Sequence, residues 1–336
     1  MNKLFFIAEI GINHNGDLGL AKEMIDAAAQ SGASAVKFQS LKANKLVAET
    51  EFSNEISGFG LEGVKTLGDF WKKVSIDERF HIEVKNYCDK VGVEFFSTPF
   101  DLQSVNLLES LNVSKYKIAS GDITHYPLLK KIAETNKEVI LSTGGSYMNE
   151  IEASYNYLKD CGAKEVSLLH CVSLYPTKAE YVNLNSIQLL KNAFNTRVGF
   201  SDHTLGIHIP LAAIAMGATI IEKHFTLDKT MPGPDQEIST NPKELKELVR
   251  LGTEVWESVK DKEKILSEDE IKMRPLMRRS IVASRDMQAG EIISMDTIDF
   301  KRAGEGIGAN KVESVLGKEL TQNLKKDSKI SLKDLK

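Results

Sequence analysis

Eight short runs of apolar and β-branched residues recur along the chain, with helix-like segments between them. They are LFFIAEI (4–10), AVKFQS (35–40), EFFSTP (94–99), KYKIAS (115–120), EVILST (138–143), EVSLLH (165–170), TRVGFS (196–201) and TIIEKHF (219–225). Strands that alternate with helices read as parallel βα units. Eight such units predict an α/β fold, a closed (β/α)8 barrel, and 336 residues leave room for a small second domain.

The intervening segments are amphipathic, as in LAKEMIDAAAQSG and IEASYNYLKDCG, and each meets a glycine suited to a helix C-terminus. The insertion after the second run, residues 41–76, is the longest and carries Gly58, Gly60, Gly63 and Gly68. A loop of that length over a barrel mouth is expected to cover or shape a site. The barrel is expected to occupy residues 1–260, ending in a helix near 241–259. The charged stretch KDKEKILSEDEIKMRP makes 261–278 a linker or exposed helix. Residues 279–336 alternate short strands with Gly turns and read as a second, smaller domain.

A formal net charge of −4 shows no basic surplus for nucleic acid. Cys88, Cys161 and Cys171 form no CxxC pair, which predicts reduced thiols and a cytoplasmic location. MNKLFFIAEIG is too short for a signal core, and no run approaches the ~18 apolar residues of a membrane span, so no membrane partner is expected.

Catalytic groups of such barrels stand at the C-terminal ends of the strands. Polar residues occupy that end of each predicted strand: Glu9; Lys37 and Gln39; Ser97 and Thr98; Lys117 and Ser120; Ser142 and Thr143; His170; Ser201 and His203; Glu222 and His224. All eight ends together predict a polar cavity. Lys37 and Lys117 lie among apolar neighbours, where a lysine either snorkels outward, forms a Schiff base or helps cradle an anion. The hydroxyls of Thr98, Ser120, Ser142 and Ser201 favour the cradle, for a phosphate or carboxylate. His203 and His224 end consecutive strands; with Glu222 or Asp202 nearby they suit a divalent metal with open positions, and His170, His14 and His208 are substitutes. Glu9 is either a salt-bridge partner of a lysine or an acid/base group. Asp235, in GPDQ, either binds sugar hydroxyls or decorates a surface turn.

With these residues in place, the chain resembles the N-acetylneuraminate (sialic acid) synthase family, which includes legionaminic and pseudaminic acid synthases. The resemblance runs nearly end to end, through AEIGINHNGD, VKFQS, FSTPFD, YKIASGD, ILSTGG, HCVSLYPT, GFSDHTLGIH, EKHFTLDKTMPGPD and DFKRAGEGIG. It implies a TIM barrel followed by an antifreeze-like (SAF, β-clip) domain, in a domain-swapped homodimer. It also implies a transferase that condenses phosphoenolpyruvate with N-acetylmannosamine to give N-acetylneuraminate and phosphate by C–O cleavage. The alternative acceptor is a 2,4-diacetamido-2,4,6-trideoxyhexose, leading to legionaminate or pseudaminate.

By the same resemblance, His203 and His224 are ligands of Mn2+ or Mg2+, which polarises the open-chain aldehyde. Lys37, Thr98, Lys117, Ser120, Ser142 and Ser201 contact phosphoenolpyruvate. Glu9, Gln39, Tyr175, Asp235 and Arg302 of the partner subunit contact the acceptor, and Glu9, with Glu222 in reserve, transfers the proton. The chain departs from the family pattern at Ser173, where some members have Asn, at STGG for STGM, at Ala303 in KRAG, and at Arg278. The stretch EFSNEISGFGLEGVKTLGDFWKK also differs from the usual acceptor loop. These departures gather around the sugar and bear on the acceptor's identity.

Overall fold

The computed structural model describes residues 4–260 and 263–336. The first three residues, and Asp261 and Lys262 where the linker was expected to begin, lie outside the described residues. The chain divides into two compact units, 1–260 and 261–336.

In the first unit the strands are β1 (Phe5–Gly11), β2 (Ala35–Ser40), β3 (Glu94–Pro99), β4 (Lys115–Ile118), β5 (Glu138–Ser142), β6 (Val166–Cys171), β7 (Val198–Asp202) and β8 (Ile220–His224). All pairings are parallel, in the order β3-β2-β1-β8-β7-β6-β5-β4, and β3 lies against β4 to close the ring. Each sequence-predicted strand agrees with an observed one to within two residues at either end.

Side chains on a strand alternate between its two faces, and here the alternation sorts the core. Phe6, Ala8, Val36, Phe38, Leu141 and Phe200 face outward and join the apolar layer under the helices. Ile7, Ala35, Phe96, Ile140, Leu169 and Ile220 face inward and form a separate plug inside the barrel. The helices start and stop where local chemistry dictates. Asp17 caps helix Leu18–Gln30 by accepting from the Leu20 N–H at 3.0 Å. Asn241 and Glu244 form a reciprocal capping box at the start of helix Pro242–Val259.

The 41–76 insertion is largely structured. Its longest helix, Leu67–Val74, packs Phe70 and Val74 with Ile12, Leu61 and Val64 into a small core of its own. The Gly233 N–H donates to the Phe59 carbonyl at 2.9 Å, which ties the insertion to the loop after β8.

The second unit contains an exposed helix, Glu268–Met277, with no buried residue. It also holds the antiparallel pair β9 (Ser280–Ala283) and β10 (Ile298–Lys301). Ile281, Ala283, Met287, Ile293, Val315 and Ile330 form its core.

Candidate active site

On five strands the inward face changes character one step above the apolar plug. Ile7 is followed by Glu9, Ala35 by Lys37, Phe96 by Thr98, Ile140 by Ser142, and Ile220 by Glu222 and then His224. The resulting polar ring opens into a cavity of ≈ 330 Å³ at the C-terminal end of the strands. Strand register sets its neighbours, placing Glu9 beside Lys37 on one side and His224 on the other. Gly11 sits at the irregularity ending β1 with φ of +54°, and a Cβ there would come within 3.1 Å of Glu9 Oε1. A side chain would crowd the carboxyl and oppose the left-handed backbone.

Two carboxyls and two ammonium groups share the floor of this cavity. Lys37 Nζ lies 2.7 Å from Glu9 Oε2, 2.9 Å from Thr98 Oγ1 and 3.8 Å from Glu222 Oε2. Lys117 Nζ is 3.6 Å from Glu222 Oε1 and donates to the Ile118 carbonyl at 3.3 Å. Ser201 donates to Glu222 Oε1 at 2.8 Å, and Gln39 Nε2 reaches Glu9 Oε1 at 3.4 Å. Both lysines are only 3% exposed, so neither snorkels to water.

The environments divide the carboxyls. Burial opposes ionisation of Glu222, but Lys117, Lys37 and the Ser201 hydrogen bond outweigh it and hold its pKa down to about 2. Burial dominates at Glu9, Glu222 adds like-charge repulsion, and Lys37 only partly compensates, so its pKa is pushed up to about 7. Burial would lower Lys37, but Glu222 and Glu9 together raise it. Lys117 is lowered by burial, which Glu222 offsets incompletely.

At the rim, the rings of His203 and His224 stand 5.4 Å apart, and Tyr175 covers His203 at 4.1 Å. His203 Nδ1 is 2.9 Å from the Val172 carbonyl. A carbonyl can only accept, so the proton sits on Nδ1 and the lone pair on Nε2. Burial depresses both imidazoles, to about 4 for His203 and about 3 for His224, leaving them neutral near pH 7. Asp235 Oδ2 lies 3.7 Å from His224 Nδ1, and burial pushes its pKa up to about 6, so it is not a surface aspartate.

Four buried polar atoms of this cavity have no hydrogen-bond partner among the described residues: Glu9 Oε2, which is ion-paired with Lys37, and Ser142 Oγ, Glu222 Oε2 and His224 Nδ1. Such atoms call for a ligand. Neutral imidazoles beside a carboxylate oxygen that accepts no hydrogen bond are a donor set that suits a divalent cation. Among the described residues no group of three or more His, Cys, Asp or Glu is gathered closely enough to hold a metal ion by itself.

The structure therefore brings together Glu9, Lys37, Gln39, Thr98, Lys117 and Ser120. It adds Ser142, Tyr175, Ser201, His203, Glu222 and His224 to the same cavity. Asp235 lines an adjoining cavity that shares Gln39, Tyr175 and His224 with the first. Arg302 lies exposed in the second unit, just after β10.

Not every polar strand end faces inward, as the sequence reading expected. Ser97 bonds Ser40 at 2.8 Å, and Ser40 in turn contacts His81 at 2.7 Å, on the helix side of the sheet. Thr143 donates to the Leu169 carbonyl, and His170 stacks on Phe200; both line a different cavity. Asp202 is engaged by Lys223 at 2.6 Å and by Thr204. The physical reason is the two-residue period: each of these is one step out of phase with an inward neighbour. Of the substitute ligands, His14 is buried against Phe38 and Phe80, and His208 is exposed on helix His208–Ala215. Neither lines the cavity, nor does His170. Cys171 does line it, 3.9 Å from His203, and the same period would have found it.

The NeuB family model matches residues 24–264, and the SAF domain model matches 278–336. The chain belongs to the NeuB family. It is 45% identical to the N,N'-diacetyllegionaminic acid synthase of Campylobacter jejuni over 98% of this chain and 99% of that protein. It is 40% identical to the N,N'-diacetyllegionaminic acid synthase of Legionella pneumophila, over 95% and 91% of the two chains. Among solved structures, the N-acetylneuraminic acid (sialic acid) synthetase of Leptospira borgpetersenii in complex with citrate superposes with a TM-score of 0.74 at 37% identity, covering 81% of this chain and 90% of that one. The relatives are sugar-acid synthases, and this NeuB-family chain is a condensing enzyme of that kind. No helix among the described residues is long and apolar enough to cross a membrane.

Proposed function

We propose that this NeuB-family enzyme condenses phosphoenolpyruvate with the open-chain aldehyde of a 2,4-diacetamido-2,4,6-trideoxyhexose and releases inorganic phosphate. The observation that carries the condensation is the pair of buried ammonium groups, Lys37 and Lys117, beside the unpartnered Ser142 hydroxyl and two neutral imidazoles. Two cations and a ring of hydroxyls suit a small molecule bearing both phosphate and carboxylate. The acceptor rests on the 45% identity to a legionaminic acid synthase over both full lengths, and on the apolar wall of Ile12, Phe59 and Phe70 beside Asp235, which suits a deoxygenated, acylated sugar. N-acetylmannosamine is the second reading, favoured by the 37% identity to the Leptospira sialic acid synthetase.

In this proposal Lys37, Lys117, Thr98, Ser120, Ser142 and Ser201 hold phosphoenolpyruvate so that its C3 faces the aldehyde carbon, which turns two encounters into one positioned step. His203 and His224 would hold Mn2+ or Mg2+, which supplies Lewis acidity to the aldehyde oxygen when bound. A bond forms between C3 and the aldehyde carbon, and Glu9 gives its proton to the aldehyde oxygen. Water then adds at C2 and returns a proton to Glu9. The C2–O bond breaks, the C2 hydroxyl proton leaves with phosphate, and a keto acid remains. Glu222, between the two lysines and bonded to Ser201, positions them. Gln39, Tyr175, Asp235 and Arg302 of the partner subunit contact the sugar in a homodimer. The free thiols of Cys88, Cys161 and Cys171 suit a cytoplasmic enzyme.

The test is phosphate release from phosphoenolpyruvate with Mn2+, with no sugar, with N-acetylmannosamine, and with 2,4-diacetamido-2,4,6-trideoxymannose, each repeated with EDTA. Release that requires both sugar and metal, fastest with the diacetamido sugar, is expected. Metal-dependent release without sugar would replace the condensation by a phosphatase-like reaction.

A further inference from the structure

Beside the reaction cavity lies a smaller one of ≈ 220 Å³. It shares Gln39, Tyr175 and His224 with the first, but none of the lysines or hydroxyls that line the floor. Its far side is built by the 41–76 insertion, where Phe59 packs on Phe70 at 5.3 Å and Phe70 meets the edge of Trp71 at 5.0 Å. Ile12, from the end of β1, completes the apolar wall. The indole Nε1 of Trp71 is buried and has no hydrogen-bond partner among the described residues. An indole N–H can only donate, and leaving it dry is costly, so it demands an acceptor.

We infer that Trp71 Nε1–H donates to the acyl carbonyl of an amide at the end of the acceptor remote from its aldehyde, with the acyl methyl against Ile12, Phe59 and Phe70. This rests on the proposed function and names the residue that reads the second acetamido group. An acetamido group offers both an oxygen to accept and a methyl for the wall, whereas a hydroxyl at that position would face apolar rings. An aldehyde placed beside His203 and His224 puts the nearer carbons of the sugar against Tyr175 and Gln39, so the group that reaches Trp71 comes from farther along the chain. The helix carrying Trp71 is held by the Thr66–Asp69 capping box and by the Ser75 hydroxyl bonded to the Trp71 carbonyl, which anchors the backbone from which the indole projects.

Trp71→Phe keeps a ring and removes the donor. Wild-type enzyme is first assayed with 2,4-diacetamido-2,4,6-trideoxymannose and with N-acetylmannosamine. Absence of turnover with the diacetamido sugar would defeat the acceptor reading, and this inference with it, before any variant is made. Given that turnover, W71F is expected to lower kcat/KM for the diacetamido sugar about tenfold, mainly through KM. N-acetylmannosamine and the KM for phosphoenolpyruvate should move less than about twofold, since neither meets the lost donor. Equal losses for both sugars, or a raised phosphoenolpyruvate KM, would overturn the role of Trp71 while leaving the acceptor reading intact. A second measurement needs no variant at the site. The chain has two tryptophans, Trp71 and Trp256, and Trp256→Phe leaves Trp71 as the only indole. Saturation with the diacetamido sugar in the absence of phosphoenolpyruvate should then change the tryptophan emission, and an unchanged spectrum would overturn the inference.

Discussion

Replacing Lys117 by Met keeps the length of the side chain and removes its charge, so the contacts of Lys117 set the outcome. Its nearest charged partner is Glu222 Oε1 at 3.6 Å, and its only hydrogen bond among the described residues is to the Ile118 carbonyl at 3.3 Å. Two unit charges at that distance attract by roughly 4–5 kcal/mol at an effective dielectric of about 20. Burying the ammonium costs several kcal/mol, so the pair is close to neutral in its effect on folding. Glu222 also keeps the Ser201 hydroxyl at 2.8 Å and Lys37 at 3.8 Å. Stability should therefore change by less than about 2 kcal/mol, whereas a lost charge-assisted bond to an anionic substrate is worth about 1.5–3 kcal/mol. The expected result is a phosphoenolpyruvate KM raised about 10- to 100-fold, measured by phosphate release at saturating acceptor, with a urea midpoint close to wild type. A KM within twofold of wild type in a folded variant would refute the anion-cradle argument. A collapse in stability would mean that Lys117 holds the barrel together instead.

Three further outcomes follow from particular contacts. Burial lowers His14 from its ordinary 6.5 to about 3, and His81 shifts the same way. The unfolded chain therefore takes up these protons first: stability is full above pH 6.5 and falls as the pH drops, for His14 by about 1.4 kcal/mol per pH unit down to about pH 3, with His81 adding a loss of the same sign. His14→Phe should flatten that slope in urea titrations between pH 6 and pH 4, and an unchanged slope would remove His14 from the account. A Cβ on Gly199 would lie 2.3 Å from the Ile220 carbonyl oxygen and 2.6 Å from Leu169 Cδ2. Gly199→Ala should thus cost about 3 kcal/mol in urea unfolding, because strand backbone cannot move aside; a loss below about 1 kcal/mol would contradict this packing. Arg302→Ala should raise the acceptor KM about tenfold and the phosphoenolpyruvate KM far less. Equal effects on both would argue against a sugar contact from the partner subunit.

Much of the site was legible because the barrel grammar is local. Alternation of apolar runs with amphipathic segments specifies βα units, and the C-terminal ends of such strands are where polar groups collect. Lys37, Lys117, His203 and His224 could be singled out because a charged or imidazole side chain amid apolar neighbours is expensive without a role. Ser97, Thr143 and His170 were misread because identity was weighed without phase. One residue along a strand turns a side chain from the cavity to the helices, which also hid Cys171. Trp71 lay inside a segment already marked as a cover for the mouth, but nothing local says which aromatic of a loop ends beside a site.

By itself the sequence determined the eight-stranded order of elements, the position of the second unit, and the inventory of cations, hydroxyls and imidazoles at the strand ends. These depend on periodicity and on the cost of burying polar groups, both readable within a few residues. Only the tertiary structure decided that Glu222 sits near both lysines and is held ionised while Glu9, paired with Lys37, is held close to neutrality. It alone left the Trp71 indole, in the cavity it shares with Tyr175 and His224, without a hydrogen-bond partner among the described residues. The reason is that electrostatic environment and hydrogen-bond satisfaction are set by distances between residues brought from opposite sides of a closed ring, and those distances exist only once the ring is closed.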